Sequence, residues 1–176
     1  MILHPLENKP IFKGGWSQKR PKITQGFGGN EHIYKQFGMK GHNGRDYGVP
    51  VGTAVFASFD GKVKVKDSKK EGYGLHIKLR SSYRAREVVL GHLSKVIVKD
   101  GAEVHLGDLI GYTGNTGFST GPHLHMGLRY LIPQSGDVFK WEVLDHDNGY
   151  YGYVDHGPFT ITFKGTEEDY SLSPNH

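Results

Sequence analysis

Histidine supplies most of the residues in this sequence that could carry out chemistry. The chain has 11 histidines and no cysteine among its 176 residues, so a metal site would have to use imidazole and carboxylate ligands. Three segments place histidines beside glycines, which favours exposed turns: Gly41-His42-Asn43-Gly44-Arg45-Asp46, Leu90-Gly91-His92-Leu93 and Gly121-Pro122-His123-Leu124-His125-Met126.

His123 and His125 have the spacing of neighbours on one face of a strand. Residues i and i+2 of a strand lie roughly 6.6 Å apart on the same face, so both imidazoles could approach one ion while Leu124 faces the core. A histidine pair of this kind is also common on exposed strands, so the pair alone does not predict a metal site.

His42 and Asp46 are four residues apart, a spacing that would suit a metal site on a helix. Flanking glycines and Pro50 disfavour a helix here, and a straight strand would separate the two residues by about 13 Å. A turn at Asn43-Gly44, a favourable turn pair, is therefore required to bring them together. Two histidines and one carboxylate would form a three-ligand zinc site with a fourth position for water.

The other histidines carry weaker signals. His92 taken alone is typical of an ordinary half-buried histidine. His76 shares a strand face with Lys78, which predicts exposure to solvent. No role is predicted for His32, His105, His146, His156 and His176.

Short segments with a period of two predict the elements that position these residues. They lie between turn residues at positions 53–59, 61–66, 75–79, 87–93, 95–98, 108–112, 123–130 and 159–163. At least eight short strands, with no convincing helix over ~10 residues, predict an all-β fold, a sandwich or open barrel.

One domain accounts for the length. We expect an N-terminal arm or edge strand at 1–22, a folded domain at 23–165 and a polar tail at 166–176. A stretch at about 131–157 is rich in aromatic and acidic residues and alternates poorly, which predicts a long loop over the domain.

Charge and hydropathy exclude several classes of protein. The net charge of +4 favours anionic surfaces but is too dispersed for a nucleic-acid footprint. No stretch approaches ~18 apolar residues, so membrane insertion is not expected. The first residues do not resemble a secretory signal. We therefore expect either cytoplasmic synthesis with release by lysis or in a phage particle, or a trimmed secreted protein.

The ordered set of motifs resembles the lysostaphin-type (LytM-like) zinc metallopeptidases, which hydrolyse peptidoglycan. The resemblance covers about residues 23–128, and segment 152–158 is similar to the closing segment of the family domain. It rests on His42-x-x-x-Asp46-Tyr47-Gly48, the segment 50–55, Gly61-Lys-Val, Gly72-Tyr-Gly74, Gly91-His92-Leu93, and Gly114-Asn-Thr-Gly117 followed by Ser119-Thr-Gly-Pro-His123-Leu-His125.

This resemblance implies a two-sheet antiparallel core with a groove, one zinc ion per chain, and hydrolysis of peptide cross-links in bacterial peptidoglycan by a monomer. It implies His42, Asp46 and His125 as zinc ligands and His92 and His123 as catalytic histidines. Which of these two histidines is the general base stays open, as does the bond that is cleaved. The sequence has no His-Glu-x-x-His motif that would supply a glutamate base.

Two alternatives of other classes remain. A non-catalytic wall-binding or amidase-regulating module could use the same groove and the net positive charge without cleaving anything. A phosphocarrier-like protein would also use paired histidines, but it would leave Asp46 without a role.

Overall fold

Short strands make up most of the regular structure in a computed structural model, which describes residues 2–3, 5–6, 21–81, 83–133, 141–157 and 160–161. In chain order the elements are β1 (Ile2–Leu3), β2 (Lys22–Gln25), α1 (Glu31–Tyr34), a 3-10 turn (Lys35–Phe37), β3 (Arg45–Gly48), β4 (Ala54–Phe56), β5 (Gly61–Asp67), β6 (Leu75–Ser81), β7 (Arg86–Gly91), β8 (Leu93–Val96), β9 (Glu103–Val104), β10 (Leu109–Thr113), β11 (Leu124–Pro133), β12 (Trp141–Val143), β13 (Tyr153–Val154) and β14 (Thr160–Ile161).

Two antiparallel sheets contain twelve of the fourteen described strands, and β1 and β14 form a separate two-stranded parallel sheet. The larger sheet has nine strands, with the path β2-β3-β11-β7-β6-β5-β9 and with β12 and β13 also paired to β11. The smaller sheet has the order β4-β10-β8. Within the described residues neither sheet closes into a barrel, which confirms the prediction of an all-β antiparallel fold with two sheets.

The hydrophobic core lies between the two sheets. One face of β11 contributes Leu124, Met126 and Leu128, which join Val55 of β4 and Ile110 of β10 in one cluster of buried side chains. Because side chains alternate along a strand, the opposite face of β11 carries His125 and the positions that follow it at intervals of two. The same alternation therefore produces the core and a polar outer face.

Some predicted segments lie partly outside the described residues. The expected arm at 1–22 is described at 2–3, 5–6 and 21–22, and β1 pairs in parallel with β14. The expected aromatic loop at 131–157 contains β12 and β13, which both pair with β11. The predicted tail at 166–176 lies outside the described residues.

The expectation that His76 is exposed is wrong. Its side chain is buried, with 3% of the residue accessible, and its Nδ1 donates a hydrogen bond to the carbonyl of Gly74 at 2.8 Å. The loop before β6 turns back so that the ring of Tyr73 packs on the imidazole, with 5.5 Å between ring centroids. Strand alternation alone does not reveal such a covering loop.

No helix within the described ranges has the length and apolar character needed to cross a membrane.

Candidate metal centre

Two neighbouring strands and a bend bring together the residues of the first and third histidine segments. Asp46 of β3 and His125 of β11 are directly paired across the antiparallel ladder. His42 comes just before β3 and reaches the same place through the bend at Asn43 and Gly44. The required turn at Asn43-Gly44 is therefore present.

Three side-chain atoms of these residues converge. His42 Nε2 lies 2.9 Å from His125 Nδ1 and 3.1 Å from Asp46 Oδ1, while His125 Nδ1 lies 3.0 Å from the same carboxylate oxygen. Ligand atoms bonded to a tetrahedral zinc ion at ~2.0–2.1 Å lie about 3.3 Å apart, so only a small outward shift would be needed to hold zinc.

The three converging atoms have more lone pairs than there are hydrogen atoms to form hydrogen bonds with them. His42 Nδ1 donates to the carbonyl of Gly26 at 3.1 Å, which leaves its Nε2 with a lone pair, and an ionised Asp46 can only accept. A neutral His125 carries a single proton on its ring. The three converging atoms therefore share at most one hydrogen, and a cation would satisfy all of them.

Burial and mutual contact set the protonation of this cluster. Burial disfavours the ionised form of Asp46, but hydrogen bonds with His125 and His42 outweigh burial and hold the pKa of Asp46 well below its usual range. Burial lowers the pKa of His125 to about 4, despite the opposing effect of Asp46. At neutral pH the cluster is thus an ionised carboxylate beside a neutral imidazole, which are the protonation states that bind metals.

Gly44 allows the chain to pass closely behind the His125 ring. A Cβ atom at this position would lie 2.4 Å from the Met126 carbonyl oxygen, and 2.6 Å and 2.8 Å from Cε1 and Nε2 of His125. No side chain can be added here without moving the imidazole, so glycine is required by packing.

His92 lies beside the cluster in a strained backbone conformation. It joins β7 to β8 with a φ of 61°, a left-handed value that is costly for a residue with a side chain and is often found at functional sites. Its amide donates to the Tyr73 carbonyl at 2.8 Å, and its Nδ1 donates to the Thr116 carbonyl at 2.7 Å. Its Nε2 therefore carries the lone pair.

Burial, with the nearby His125 ring, lowers the pKa of His92 to about 4. A neutral imidazole at neutral pH is able to accept a proton.

His123 is oriented in a similar way. Its Nδ1 donates to the Gly121 carbonyl at 2.8 Å and also lies 3.2 Å from the Ser119 hydroxyl. Its Nε2 is directed at Asp46 Oδ2 at 3.5 Å, and its ring centroid is 4.5 Å from that of His92. The structure thus brings all five candidate residues together, with His125 in the closest cluster and His123 at its edge.

Two tyrosines that sequence reasoning did not select also contact the cluster. The Tyr73 ring packs against His125 at 4.9 Å between centroids, and its hydroxyl accepts a hydrogen bond from Asn43 Nδ2 at 2.6 Å. The Tyr34 ring lies 5.2 Å from His42. Burial and the charge of Asp46 raise the pKa of Tyr34 to about 12. Only Tyr73 had a sequence signal, the Gly72-Tyr-Gly74 motif.

The segment after β13 is fastened to the strand that carries Asp46. Arg45 donates two hydrogen bonds to the Asp155 carboxylate, at 2.7 Å and 2.8 Å, in the bidentate geometry that guanidinium and carboxylate favour. Arg45 is the immediate neighbour of Asp46, so this pair connects Asp155 and the residues around it with the site.

Comparison with known proteins identifies a peptidase family that this chain resembles. The model of peptidase family M23 matches residues 40–138. The peptidoglycan DD-endopeptidase ShyA of Vibrio cholerae is 43% identical over 88 residues, which are 49% of this chain and 20% of that protein. An uncharacterized metalloprotease of Haemophilus influenzae is 38% identical over 108 residues, which are 61% of this chain and 22% of that protein. The chain thus spans about a fifth of the length of these relatives.

Solved structures share the fold. The catalytic domain of the antimicrobial peptidase lysostaphin from Staphylococcus simulans is 30% identical with a TM-score of 0.54, covering 70% of this chain and 88% of that one. LytU is 28% identical with a TM-score of 0.59, covering 85% of this chain and 90% of that one. Because the family model matches more than half of the chain and the fold agrees, this protein belongs to peptidase family M23.

Proposed function

We propose that this protein is a zinc-dependent endopeptidase that hydrolyses the peptide cross-links of bacterial peptidoglycan, acting at the cell wall. The observation that carries the proposal is the convergence of Nε2 of His42, Oδ1 of Asp46 and Nδ1 of His125 within 3.1 Å of one another. These donor types suit zinc, and three protein ligands leave a position open for water or substrate.

Two sets of residues would have separate roles, metal binding and proton transfer. His42, Asp46 and His125 would hold the ion, which when bound supplies a Lewis acid and lowers the pKa of water towards ~7. His92 and His123 would bind and release protons at Nε2, since the Nδ1 of each is occupied by a backbone carbonyl. One would take the proton of the attacking water at its Nε2 and pass that proton to the leaving amine, and the other would stabilise the developing oxyanion when its own Nε2 is protonated.

The substrate class is inferred from relatives. ShyA is named a peptidoglycan DD-endopeptidase, and Mpg of Neisseria meningitidis, 43% identical over 88 residues, is named a DD-carboxypeptidase/endopeptidase. A peptide in the cell wall is therefore the substrate that best fits a metal centre of this family, and we extend it to this chain.

Digestion of purified peptidoglycan tests the proposal. The protein is loaded with zinc and incubated with sacculi that differ in cross-link chemistry, and new amino termini are identified by mass spectrometry. We expect about one zinc per chain, release of new termini, loss of activity with a chelator and recovery when zinc is restored. Binding to sacculi without new termini would instead identify a non-catalytic wall-binding module.

A further inference from the structure

The outer face of the large sheet carries a set of lysines away from the metal centre. On β5, Lys62, Lys64 and Lys66 alternate with core residues and are exposed. In the adjacent strand their direct partners are Arg80, Lys78 and His76. Like charges placed directly opposite each other across a sheet are destabilising, so two successive cationic pairs need an explanation.

Carboxylates lie beside both cations of the row of Lys62, but beside only one of the two cations in the row of Lys64. Arg80 pairs with the buried carboxylate of Glu87, and Glu103 of β9 lies directly opposite Lys62. In the next row Lys64 reaches the exposed Asp100 at 2.7 Å, whereas Lys78 faces Lys64 on one side and the apolar Val89 on the other. The excess positive charge is therefore concentrated in the row of Lys78 and the row of Lys66.

Lys78 and Lys66 have no anionic contact of their own. Neither makes a hydrogen bond or ion pair with another described residue, although Lys78 is half-buried. Burial lowers the pKa of Lys78, and the positive charges of Arg129, Lys66 and Arg80 act in the same direction, against the opposing effect of the Glu87 carboxylate. An anion bound here would relieve the repulsion among these groups.

We propose that Lys64, Lys66 and Lys78, the lysine patch, bind phosphodiester groups of an anionic cell-wall polymer. Lysine ammonium groups bind phosphate as compact point charges. The choice of a wall polymer rests on the proposed function, because the same sheet face carries His125. At ~4.8 Å per strand, the backbone of Lys66 lies three strands, or about 14 Å, from that of His125, with Tyr73 between them.

Binding of a synthetic glycerol-phosphate oligomer to the full chain, measured by calorimetry at several salt concentrations, tests the patch without any scissile bond. We expect Lys66→Gln/Lys78→Gln to weaken binding roughly thirtyfold and to reduce the slope of log K against log salt by about 1.4, or ~0.7 for each lost contact. Lys66→Arg/Lys78→Arg should retain binding. The control Lys22→Gln/Lys95→Gln removes the same charge from exposed positions on β2, at the far edge of the large sheet, and on β8 of the smaller sheet, and should bind like wild type.

The other outcomes are equally decisive. If both glutamine variants bound the oligomer equally weakly, net charge alone would account for binding, and the proposal of a specific lysine patch would be wrong. Equal affinity for an oligoglutamate of matched charge, or tighter binding of a single-stranded oligonucleotide, would overturn the assignment to wall phosphodiesters. Thermal melting shows whether the patch variant is folded, and relief of the Lys64–Lys78 repulsion predicts an unchanged or raised midpoint. Because hydrolysis is not measured, failure here is distinct from failure of the proposed peptidase activity.

Discussion

At the level of single residues, His123 and His125 differ in what surrounds their nitrogens. His125 presents Nδ1 to Asp46 and His42 and is 2% accessible. His123 lies at the edge of the cluster, with Nε2 at 3.5 Å from Asp46 Oδ2. The same residue type two positions apart is therefore expected to do different work.

Replacement of each histidine by alanine separates these roles. His125→Ala removes one of the three proposed ligands and should reduce zinc to well below one per chain. His123→Ala should retain zinc but lower kcat by roughly 10²–10⁴-fold, the usual contribution of a general acid or base. Metal content by elemental analysis and turnover of a soluble cross-linked peptide measure the two effects. If both variants kept zinc equally, the assignment of ligand and catalyst would be wrong.

Gly44 offers a test of how closely the ligand ring is packed. In Gly44→Ala the added methyl would meet the Met126 carbonyl and the His125 ring, and the imidazole would have to move. We expect zinc affinity to fall by roughly 10–100-fold, as for other disturbed supports of a ligand, measured by competition with a chromophoric chelator.

Gly26→Ala is the matched control for this change. Gly26 also lies next to the site, since its carbonyl accepts the hydrogen bond from His42, but nothing lies within 4 Å of a Cβ added there. Its zinc affinity should equal that of wild type. A comparable loss in both variants would show that backbone flexibility, not contact with His125, accounts for the result.

Spacing and turn chemistry predicted part of this site, and tertiary contact decided the rest. The i, i+2 pair and the Asn43-Gly44 turn follow from strand geometry and turn preference. Tyr34 could not be recognised, because its contact with His42 depends on how the α1 segment folds back. Spacing alone could not distinguish which of His123 and His125 is the metal ligand, because residues two apart in a strand lie on the same face.

At the level of elements, the loop between β5 and β6 contacts both the metal-site histidine His125 and the neighbouring His92. Its Tyr73 packs on the His125 ring, its backbone carbonyl accepts the amide of His92, and its hydroxyl bonds to Asn43 and Tyr153. We therefore expect Tyr73 to act as a positioning residue for the proposed ligand His125 and for the neighbouring His92 imidazole.

Two substitutions of Tyr73 separate the roles of its ring and its hydroxyl. Tyr73→Phe keeps the packing on His125, so zinc affinity should be retained while the free energy of unfolding falls by about 1–2 kcal/mol, since Asn43 loses its acceptor. Tyr73→Leu removes the ring and should weaken zinc roughly tenfold and lower kcat more than it raises KM. Chelator competition and steady-state kinetics give the readouts.

The control for this loop is an exposed tyrosine. Tyr83→Leu alters a residue that is 88% accessible and should leave zinc affinity unchanged. If the role of Tyr73 were purely structural, Tyr73→Phe and Tyr73→Leu would both lower stability. Neither would change zinc affinity or kcat/KM, contrary to our expectation.

Strands could be predicted better than loops. Alternation located β5 and β6 within a residue or two, because each has one face in the core. The same alternation wrongly predicted that His76 is exposed, because the loop that precedes β6 turns back and its Tyr73 covers the imidazole. Side chains on the outer face of a sheet therefore cannot be assigned to solvent from period alone.

At the level of the whole molecule, buried histidines outside the site make stability sensitive to acid. His156 is fully buried, and its Nε2 donates to the Met126 carbonyl at 3.0 Å. Burial, with the charge of Arg45, lowers its pKa to about 4. In the unfolded chain a histidine titrates near 6.5, so between these values the unfolded state binds more protons than the folded state.

Stability should therefore be constant with respect to His156 above about pH 7 and decrease as pH falls from 6.5 towards 4, by up to roughly 3 kcal/mol. Denaturant unfolding of the zinc-loaded protein across this range measures the slope. His156→Gln keeps a donor for Met126 but cannot titrate, so its stability should decline less steeply, while any linkage to zinc is common to both proteins and cancels in the difference. His105→Gln, at a side chain that is 84% accessible, should follow wild type. Parallel curves for wild type and His156→Gln would mean that His156 is not held neutral by burial.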